Sequence, residues 1–153
     1  MKVVVQRCKN ASVTVDNKIV GKIEQGVMLL VGFTEGDSLS EITYMADKVL
    51  NLRIFDDDNG VMNKSLLDVG GSILSVSQFT LYGDAKKGRR PSYSKALRGE
   101  EAIKLYQLFN ETLRKSAVVE EGIFGAEMEV SLINDGPITI LLEKERVNIG
   151  EQS

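Results

Sequence analysis

The sequence predicts an α+β fold: a strand-rich single domain over residues 1–153, with stacked, mainly antiparallel or mixed sheets and two main helices on one side. Two observations support this prediction. Segments rich in β-branched and apolar residues recur between polar turns along most of the chain. Only two segments repeat apolar residues at spacings of three and four, as amphipathic helices do. The length of 153 residues fits one hydrophobic core.

The first forty residues contain four candidate strands joined by polar turns. They cover residues 2–7, 11–15, 18–23 and 27–33. Asp16 and Asn17 between the second and third segments are typical of a hairpin turn. This part of the chain should therefore form neighbouring antiparallel strands.

Two helices should follow at different points of the chain. Ser38 and Glu41 have the spacing of a capping box, and apolar residues then recur at helical spacing as far as Leu50. A second amphipathic pattern covers residues 99–116. Both apolar stripes are interpreted as core packing.

The remaining candidate strands cover residues 72–81, 118–124, 128–133 and 138–143. Gly136 and Pro137 separate the last two. A proline cannot donate a hydrogen bond to a strand ladder, so Pro137 must lie in a turn, on an edge or at a bulge. Residue chemistry alone favours a hairpin turn that begins at Asn134 and Asp135. The alternative is a cis peptide that directs two carbonyl oxygens toward a ligand.

The composition excludes several kinds of chemistry. The chain has no histidine, so a Ser-His-Asp triad and imidazole metal ligands are impossible. Cys8 is the only cysteine, which excludes an intrachain disulfide and a thiolate zinc site. The acidic run from Asp56 to Asp58 lacks the ligand spacing of a calcium loop and is interpreted as a turn. We expect no metal and no cofactor.

No stretch approaches the roughly 20 apolar residues of a membrane span, and Arg7 and Lys9 interrupt any signal-peptide core. We therefore expect a cytoplasmic protein without membrane association. The net charge of -3 argues against a general nucleic-acid binder. A local exception is the loop that contains Lys86, Lys87, Arg89 and Arg90. This loop is either simply solvated or a set of contacts to RNA phosphates.

Polar and apolar residues alternate from Ser77 to Leu81. As a bare pattern this is a half-buried strand, with Gln78 and Thr80 on the face opposite Ser77 and Phe79. A functional interpretation gives Thr80 a catalytic hydroxyl and uses neighbouring backbone N–H groups to polarise a carbonyl. The lack of histidine makes an activated threonine the weaker of these two ideas.

Three elements together resemble the D-aminoacyl-tRNA deacylase family: residues 77–81, residues 134–139, and Arg7 with the two residues before it. The resemblance covers essentially the whole chain, and Ile138 stands where the family commonly has valine. It implies an esterase that removes D-amino acids from tRNA, and also glycine mischarged on tRNA(Ala), while sparing L-aminoacyl-tRNA.

The resemblance also implies residue roles and partners. Phe79 and Thr80 would be the catalytic pair through their backbone N–H groups, with Ser77 and Gln78 near the terminal adenosine. Family members are homodimers with sites at the interface, and their Gly-Pro peptide is cis. Carried over, Gly136 and Pro137 would enter the partner's pocket and face the substrate's α-carbon, and Arg7 would orient them. The partners would be the 3′-terminal adenosine and acceptor end of aminoacyl-tRNA and a second copy of the chain.

Two other functions remain open. One is a non-catalytic RNA-binding module that contacts RNA through the basic loop. In such a module the segment with Gly136 and Pro137 would have a purely structural role. The other is a metal-dependent hydrolase built on Asp56 to Asp58. It is the weakest of the three, because no histidine supports it.

Overall fold

The computed structural model describes residues 1–145 and has the predicted α+β class. The strands are β1 (Lys2–Val15), β2 (Lys18–Ile23), β3 (Gly26–Gly32), β4 (Phe55–Asp56), β5 (Met62–Lys64), β6 (Ser72–Ser77), β7 (Val119–Glu121) and β8 (Glu129–Glu143). The helices are α1 (Leu39–Asn51), the short α2 (Leu66–Val69) and α3 (Glu100–Arg114), with a 3₁₀ turn over Phe79–Tyr82. The two long helices lie where the sequence predicts them.

Six strands form one mixed sheet in the order β2-β1-β3-β6-β7, with β8 also paired to β1. Strand β1 is antiparallel to β2, β3 and β8, whereas β6 is parallel to both β3 and β7. Strands β4 and β5 form a separate two-stranded ladder. The parallel part places the ends of β3 and β6 side by side at one edge of the sheet.

Strand β1 is longer than predicted. The sequence indicates two strands over residues 2–7 and 11–15, but the structure has one strand of 14 residues. Its first half pairs with β3 and its second half with β2, while β8 pairs along both halves. The change of partner along one edge allows the strand to continue without a turn.

Strand β8 corrects the hairpin interpretation of Gly136 and Pro137. The two strands predicted here do not pair with each other, because residues 129–143 form the single strand β8, which pairs with β1 on both sides of the dipeptide. The Gly136–Pro137 peptide bond lies inside this strand and is cis. The interruption is therefore accommodated within the ladder and does not reverse the chain.

The sheet has hydrophobic residues on both faces. One core lies between the sheet and the helices and includes Leu29, Met45 and Phe109. A smaller core on the other face includes Cys8 and Leu74. Strand β2 contributes Ile23 to the second core and also contacts β6 and β7, so the single mixed sheet curves around this core.

Local signals explain the ends of several elements. The backbone N–H of Ser38 donates to the Glu41 carboxylate at 2.8 Å, which completes the predicted capping box of α1. The acidic run forms a turn, since the Asp57 carboxylate accepts from the N–H groups of Asn59 and Val61 at 2.8 and 3.0 Å. Within residues 1–145, no helix has the length and apolar character of a membrane span.

Candidate active site

A cavity of about 520 Å³ lies at the edge where the parallel strands β3 and β6 end. Its volume is within the usual range of small-molecule sites, and the carboxyl ends of parallel strands are a common place for them. Its walls come from these strand ends, from the segment before α3 and from the segment between β7 and β8. The lining residues are Val31, Gly32, Phe33, Val76, Ser77, Gln78, Phe79, Leu97, Arg98, Gly99, Ile103, Phe124, Gly125, Ala126, Met128 and Val130.

The strand predicted over residues 72–81 ends at Ser77, so the expected alternation beyond Ser77 is wrong. The chain turns into a 3₁₀ helix because the Leu81 N–H donates to the Gln78 carbonyl at 3.3 Å. The first N–H groups of such a turn have no carbonyl one turn earlier. Within residues 1–145 we find no acceptor for the N–H of Phe79 or Thr80. Two free donors therefore begin the turn, and Phe79, the first of them, lines the cavity.

The Thr80 side chain is exposed and does not line the cavity. Its hydroxyl oxygen accepts a hydrogen bond from the Gln78 side-chain amide. An amide donor cannot remove a proton from the hydroxyl, so this contact provides no activation of Thr80 as a nucleophile. The arrangement fits a residue that shapes the turn.

The Phe79 ring is held between two side chains at the mouth of the cavity. It meets Tyr93 edge-on, with 5.3 Å between ring centroids. The Arg98 guanidinium carbon lies 4.1 Å from the Phe79 ring centroid. These contacts restrain the side chain of the residue whose N–H is one of the free donors.

Gly136 and Pro137 form a bulge on β8. Gln6 pairs with Thr139 and Cys8 pairs with Asn134, so residues 135–138 all lie opposite Arg7 alone. Gly136 has φ of +137°, and an added Cβ would lie 2.8 Å from the Ile138 side chain. Glycine is therefore the residue that fits this position.

Two side chains fix the bulge from within. The Asn134 side-chain oxygen accepts from the Ile138 N–H at 2.7 Å and so closes the loop of the bulge. Arg7 is buried, and its Nε donates to the Asp135 carbonyl at 2.9 Å. The Nη1 of Arg7 donates to the Ile54 carbonyl at 2.7 Å. Arg7 thus connects the bulge to the segment that leads into β4.

The predicted site residues fall into three separate groups, and the first two are the cavity motif and the dipeptide. Ser77, Gln78 and Phe79 line the cavity, whereas Gly136 and Pro137 do not. The two residues of the dipeptide are exposed at the bulge. Within one copy of the chain, the two motifs therefore do not form one pocket.

The predicted basic loop forms a third group. The backbone groups of Asp84 and Ser92 exchange two hydrogen bonds of 2.8 Å, which close the loop at its base. Its four basic side chains, Lys86, Lys87, Arg89 and Arg90, are all exposed. Lys86 also lines an open groove of about 530 Å³ together with Lys2, Tyr82 and Lys95. Burial, followed by nearby carboxylates, raises the pKa of the Tyr82 hydroxyl, so this phenol stays neutral.

Some residues at the cavity are not evident from the sequence motifs. Arg98 and the wall over residues 124–128 carry no recognisable pattern, and neither does Tyr93, which contacts Phe79. Arg98 stands directly before the N-terminal cap of α3, Gly99, which is the one signal that could have drawn attention to it.

Comparisons with known proteins agree with this architecture. The family model described as "D-Tyr-tRNA(Tyr) deacylase" matches residues 4–143. The chain is 54% identical over 146 residues to a D-aminoacyl-tRNA deacylase of Geobacillus sp. (strain WCH70), covering 95% of this chain and 96% of the relative. It is 58% identical over 144 residues to a D-aminoacyl-tRNA deacylase of Brevibacillus brevis, covering 94% of this chain and 99% of the relative.

Two solved structures have the same fold. One, named "c-Myc DNA Unwinding Element Binding Protein", is 42% identical with a TM-score of 0.90 and covers 95% of this chain and 100% of its own. The other, described as a probable eukaryotic D-amino acid tRNA deacylase, is 21% identical with a TM-score of 0.79 and covers 92% of this chain and 97% of its own. At that identity it supports the fold alone. The family model and the curated relatives confirm the resemblance, and the chain belongs to the D-aminoacyl-tRNA deacylase family.

Proposed function

We propose that this protein hydrolyses the ester bond of D-aminoacyl-tRNA in the cytoplasm and releases the free amino acid and tRNA without a cofactor. The observation that carries the proposal is the pair of free N–H groups at Phe79 and Thr80, in a turn whose first residue lines a cavity of about 520 Å³. Backbone donors aimed at a developing oxyanion can contribute several kcal/mol of transition-state stabilisation. Such donors suit a chain that has no histidine.

The reaction requires few titrating groups. A water oxygen forms a bond to the ester carbonyl carbon, whose oxygen accepts hydrogen bonds from the N–H groups of Phe79 and Thr80. The bond from that carbon to the ribose oxygen then breaks. The water proton reaches the leaving ribose oxygen with the help of the neighbouring ribose hydroxyl, which belongs to the substrate. Ser77 and Gln78 hold the terminal adenosine, so positioning supplies much of the rate increase.

A second copy of the chain completes the site in this proposal. Gly136 and Pro137 of one copy enter the cavity of the other, and their carbonyl oxygens face the α-carbon and amino group of the substrate. The space left accepts a hydrogen and excludes an L side chain. Glycine, as on glycyl-tRNA(Ala), has no side chain to exclude and is also accepted.

Two properties of the surface support a homodimer. The dipeptide projects from a braced bulge and is exposed, as an element that enters another subunit must be. Strand β8 pairs with β1 alone among the described strands and exposes Ile133 and Leu141 to 52% and 55%. A strand of 15 residues with one unpaired edge and exposed apolar side chains is typical of a surface that another chain covers.

In this proposal the basic loop contacts the part of the tRNA that lies outside the cavity. Lys86, Lys87, Arg89 and Arg90 are exposed and carry four positive charges on an otherwise acidic chain. We assign them to phosphates of the acceptor end, where they add affinity that does not depend on sequence and weakens with salt. If the protein were only an RNA-binding module, these contacts would give tRNA binding without turnover.

The decisive experiment is deacylation of matched D-, L- and glycyl-aminoacyl-tRNA by the purified protein. We expect release of the D-amino acid and glycine, with the L-aminoacyl-tRNA left at its spontaneous rate. Equal rates on the two enantiomers would refute the steric filter. Binding of all three without release would support the RNA-binding alternative.

Subunit mixing tests where the dipeptide acts. The variants Gln78→Ala and Pro137→Ala should each be inactive, because both chains of each homodimer carry the substitution and both sites therefore lack a required residue. After random mixing, half of the dimers have one intact site, so activity should return to about a quarter of the wild-type value. If the cavity and dipeptide of the same chain worked together, every site would stay damaged and no activity would return.

A further inference from the structure

Arg98 is the one charged residue among the described residues that line the cavity. The rest of the lining is apolar or neutral, and the chain as a whole carries a net charge of -3. The Arg98 guanidinium packs on the Phe79 ring, and none of the other residues that line the cavity carries a charge to pair with it.

The position of Arg98 leaves its hydrogen-bond donors free. The guanidinium carbon lies 4.1 Å from the Phe79 ring centroid and 5.7 Å from that of Tyr93. Stacking on a ring uses the face of the guanidinium and leaves the N–H groups at its edge available. Arg98 is exposed and forms no ion pair within residues 1–145, even with the neighbouring Glu100 and Glu101.

We propose that Arg98 binds the phosphate group on the 5′ side of the terminal adenosine. This inference rests on the proposed function, which places the terminal nucleoside and its ester in the cavity. The first charged group of the substrate outside the nucleoside is that phosphate. Arginine matches it because a planar guanidinium can donate two parallel hydrogen bonds to one phosphate.

The contact with Phe79 connects this binding step to the proposed chemistry. Arg98 packs on the ring of the residue whose backbone N–H is a proposed oxyanion donor. Phosphate binding holds the guanidinium in place over the ring and keeps the start of the 3₁₀ turn in position. Arg98 is thus a substrate-positioning residue: by binding the phosphate, it fixes where the ester lies relative to the backbone N–H groups.

The test compares two analogues that differ by one phosphate. Both carry D-alanine on 3′-amino-3′-deoxyadenosine through an amide, which resists hydrolysis, and only one has a 5′-phosphate. Binding to the wild-type protein, Arg98→Met and Arg98→Lys is measured by calorimetry. Methionine retains an apolar stem over Phe79 while removing the charge. Lys115→Met removes one exposed positive charge at the opposite end of α3 and is the matched control.

Wild-type protein and Lys115→Met should prefer the phosphorylated analogue. Arg98→Met should lose about fivefold in affinity for it, the upper range for an exposed charge pair, with no change for the unphosphorylated analogue. Arg98→Lys should keep part of the preference. Equal weakening of both analogues by Arg98→Met would overturn the inference and indicate that Arg98 only supports Phe79. No phosphate preference in the wild type would also overturn it.

This test separates the two proposals. Binding is measured without catalysis, so a wild-type protein that prefers the phosphorylated analogue but releases no D-amino acid from tRNA would refute the proposed function and retain the phosphate site. The opposite result is also possible: the wild-type protein deacylates D-aminoacyl-tRNA, and Arg98→Met keeps the full preference for the phosphorylated analogue. That result would retain the proposed function and refute the phosphate site.

Discussion

Replacing Arg7 with methionine tests how the Gly136 and Pro137 bulge is held. Arg7 is 7% exposed and donates to the carbonyl oxygens of Asp135 at 2.9 Å and Ile54 at 2.7 Å. Methionine fills much of the same space but donates to neither. Both carbonyls would then lose a charged donor in a place with little access to water.

The magnitude follows from these two contacts. A hydrogen bond from a charged donor contributes roughly 1.5–3 kcal/mol to stability. The carboxylates of Asp56 and Asp135 lie 3.6 and 3.7 Å from Arg7, but their side chains are 56% and 40% exposed. Solvent screening limits each ion pair to less than about 1 kcal/mol. Arg7→Met should therefore lower the free energy of unfolding by about 3–5 kcal/mol, in line with breaking a buried charged contact.

Urea denaturation followed by circular dichroism measures this change, and an unaltered m-value would show that the native state keeps its compactness. Arg53→Met is the matched control, because Arg53 is exposed and makes a single 3.2 Å hydrogen bond to the Asn63 carbonyl. It should cost less than about 1 kcal/mol. Hydrogen exchange at the Ile138 N–H, which donates to Asn134, reports the bulge itself. An Arg7→Met protein within about 1 kcal/mol of the wild type, with unchanged exchange at Ile138, would refute the reasoning.

Three further outcomes are expected. Gly26→Ala should prevent folding, because the new Cβ would lie 1.8 Å from the Ser72 carbonyl oxygen. Gly70 has φ of +64° and open space around it, so Gly70→Ala should lower the free energy of unfolding by only about 1 kcal/mol, as measured in thermal or urea melts. Burial raises the pKa of the Cys8 thiol from 9.0 to about 11. Unfolded chains then lose this proton first, so stability should fall as pH rises from 9 to 11, a dependence that Cys8→Ala should remove. Thr80→Ala should keep appreciable deacylase activity, since backbone donors survive; complete loss with an intact fold, or a trapped acyl-threonine, would indicate nucleophilic catalysis.

Local signals in the sequence predict the helices and the fold class well. The Ser38 and Glu41 capping box and the apolar stripe of α3 are short-range features, and the structure has both. Strand ends depend on partners that are distant in sequence. Strand β1 continues past residue 7 because β2 replaces β3 as its neighbour. No sequence pattern within β1 indicates this change of partner.

The candidate site divides in the same way. Ser77 and Gln78 line the cavity, but the strand predicted to contain them ends at Ser77 and the next residues turn. Arg98 and Tyr93 are near Phe79 only because the segment before α3 folds back across the cavity. A single arginine in a polar segment has no periodicity or spacing to distinguish it from solvated neighbours. Its importance depends on what it contacts.

The geometry of the bulge argues for a site shared between two copies. Arg7 and Asn134 brace residues 135–138 with buried or short hydrogen bonds, which is more support than an exposed turn requires. Yet Gly136 and Pro137 do not line the cavity of their own chain, where Val130 is the lining residue that β8 contributes. A rigid, exposed dipeptide is best suited to meet something outside its own subunit. If that is the cavity of a second copy, Arg7 of one chain holds the dipeptide that excludes L side chains, and the backbone N–H groups of Phe79 and Thr80 of the other stabilise the oxyanion. One chain alone could then neither reject L substrates nor hydrolyse the ester.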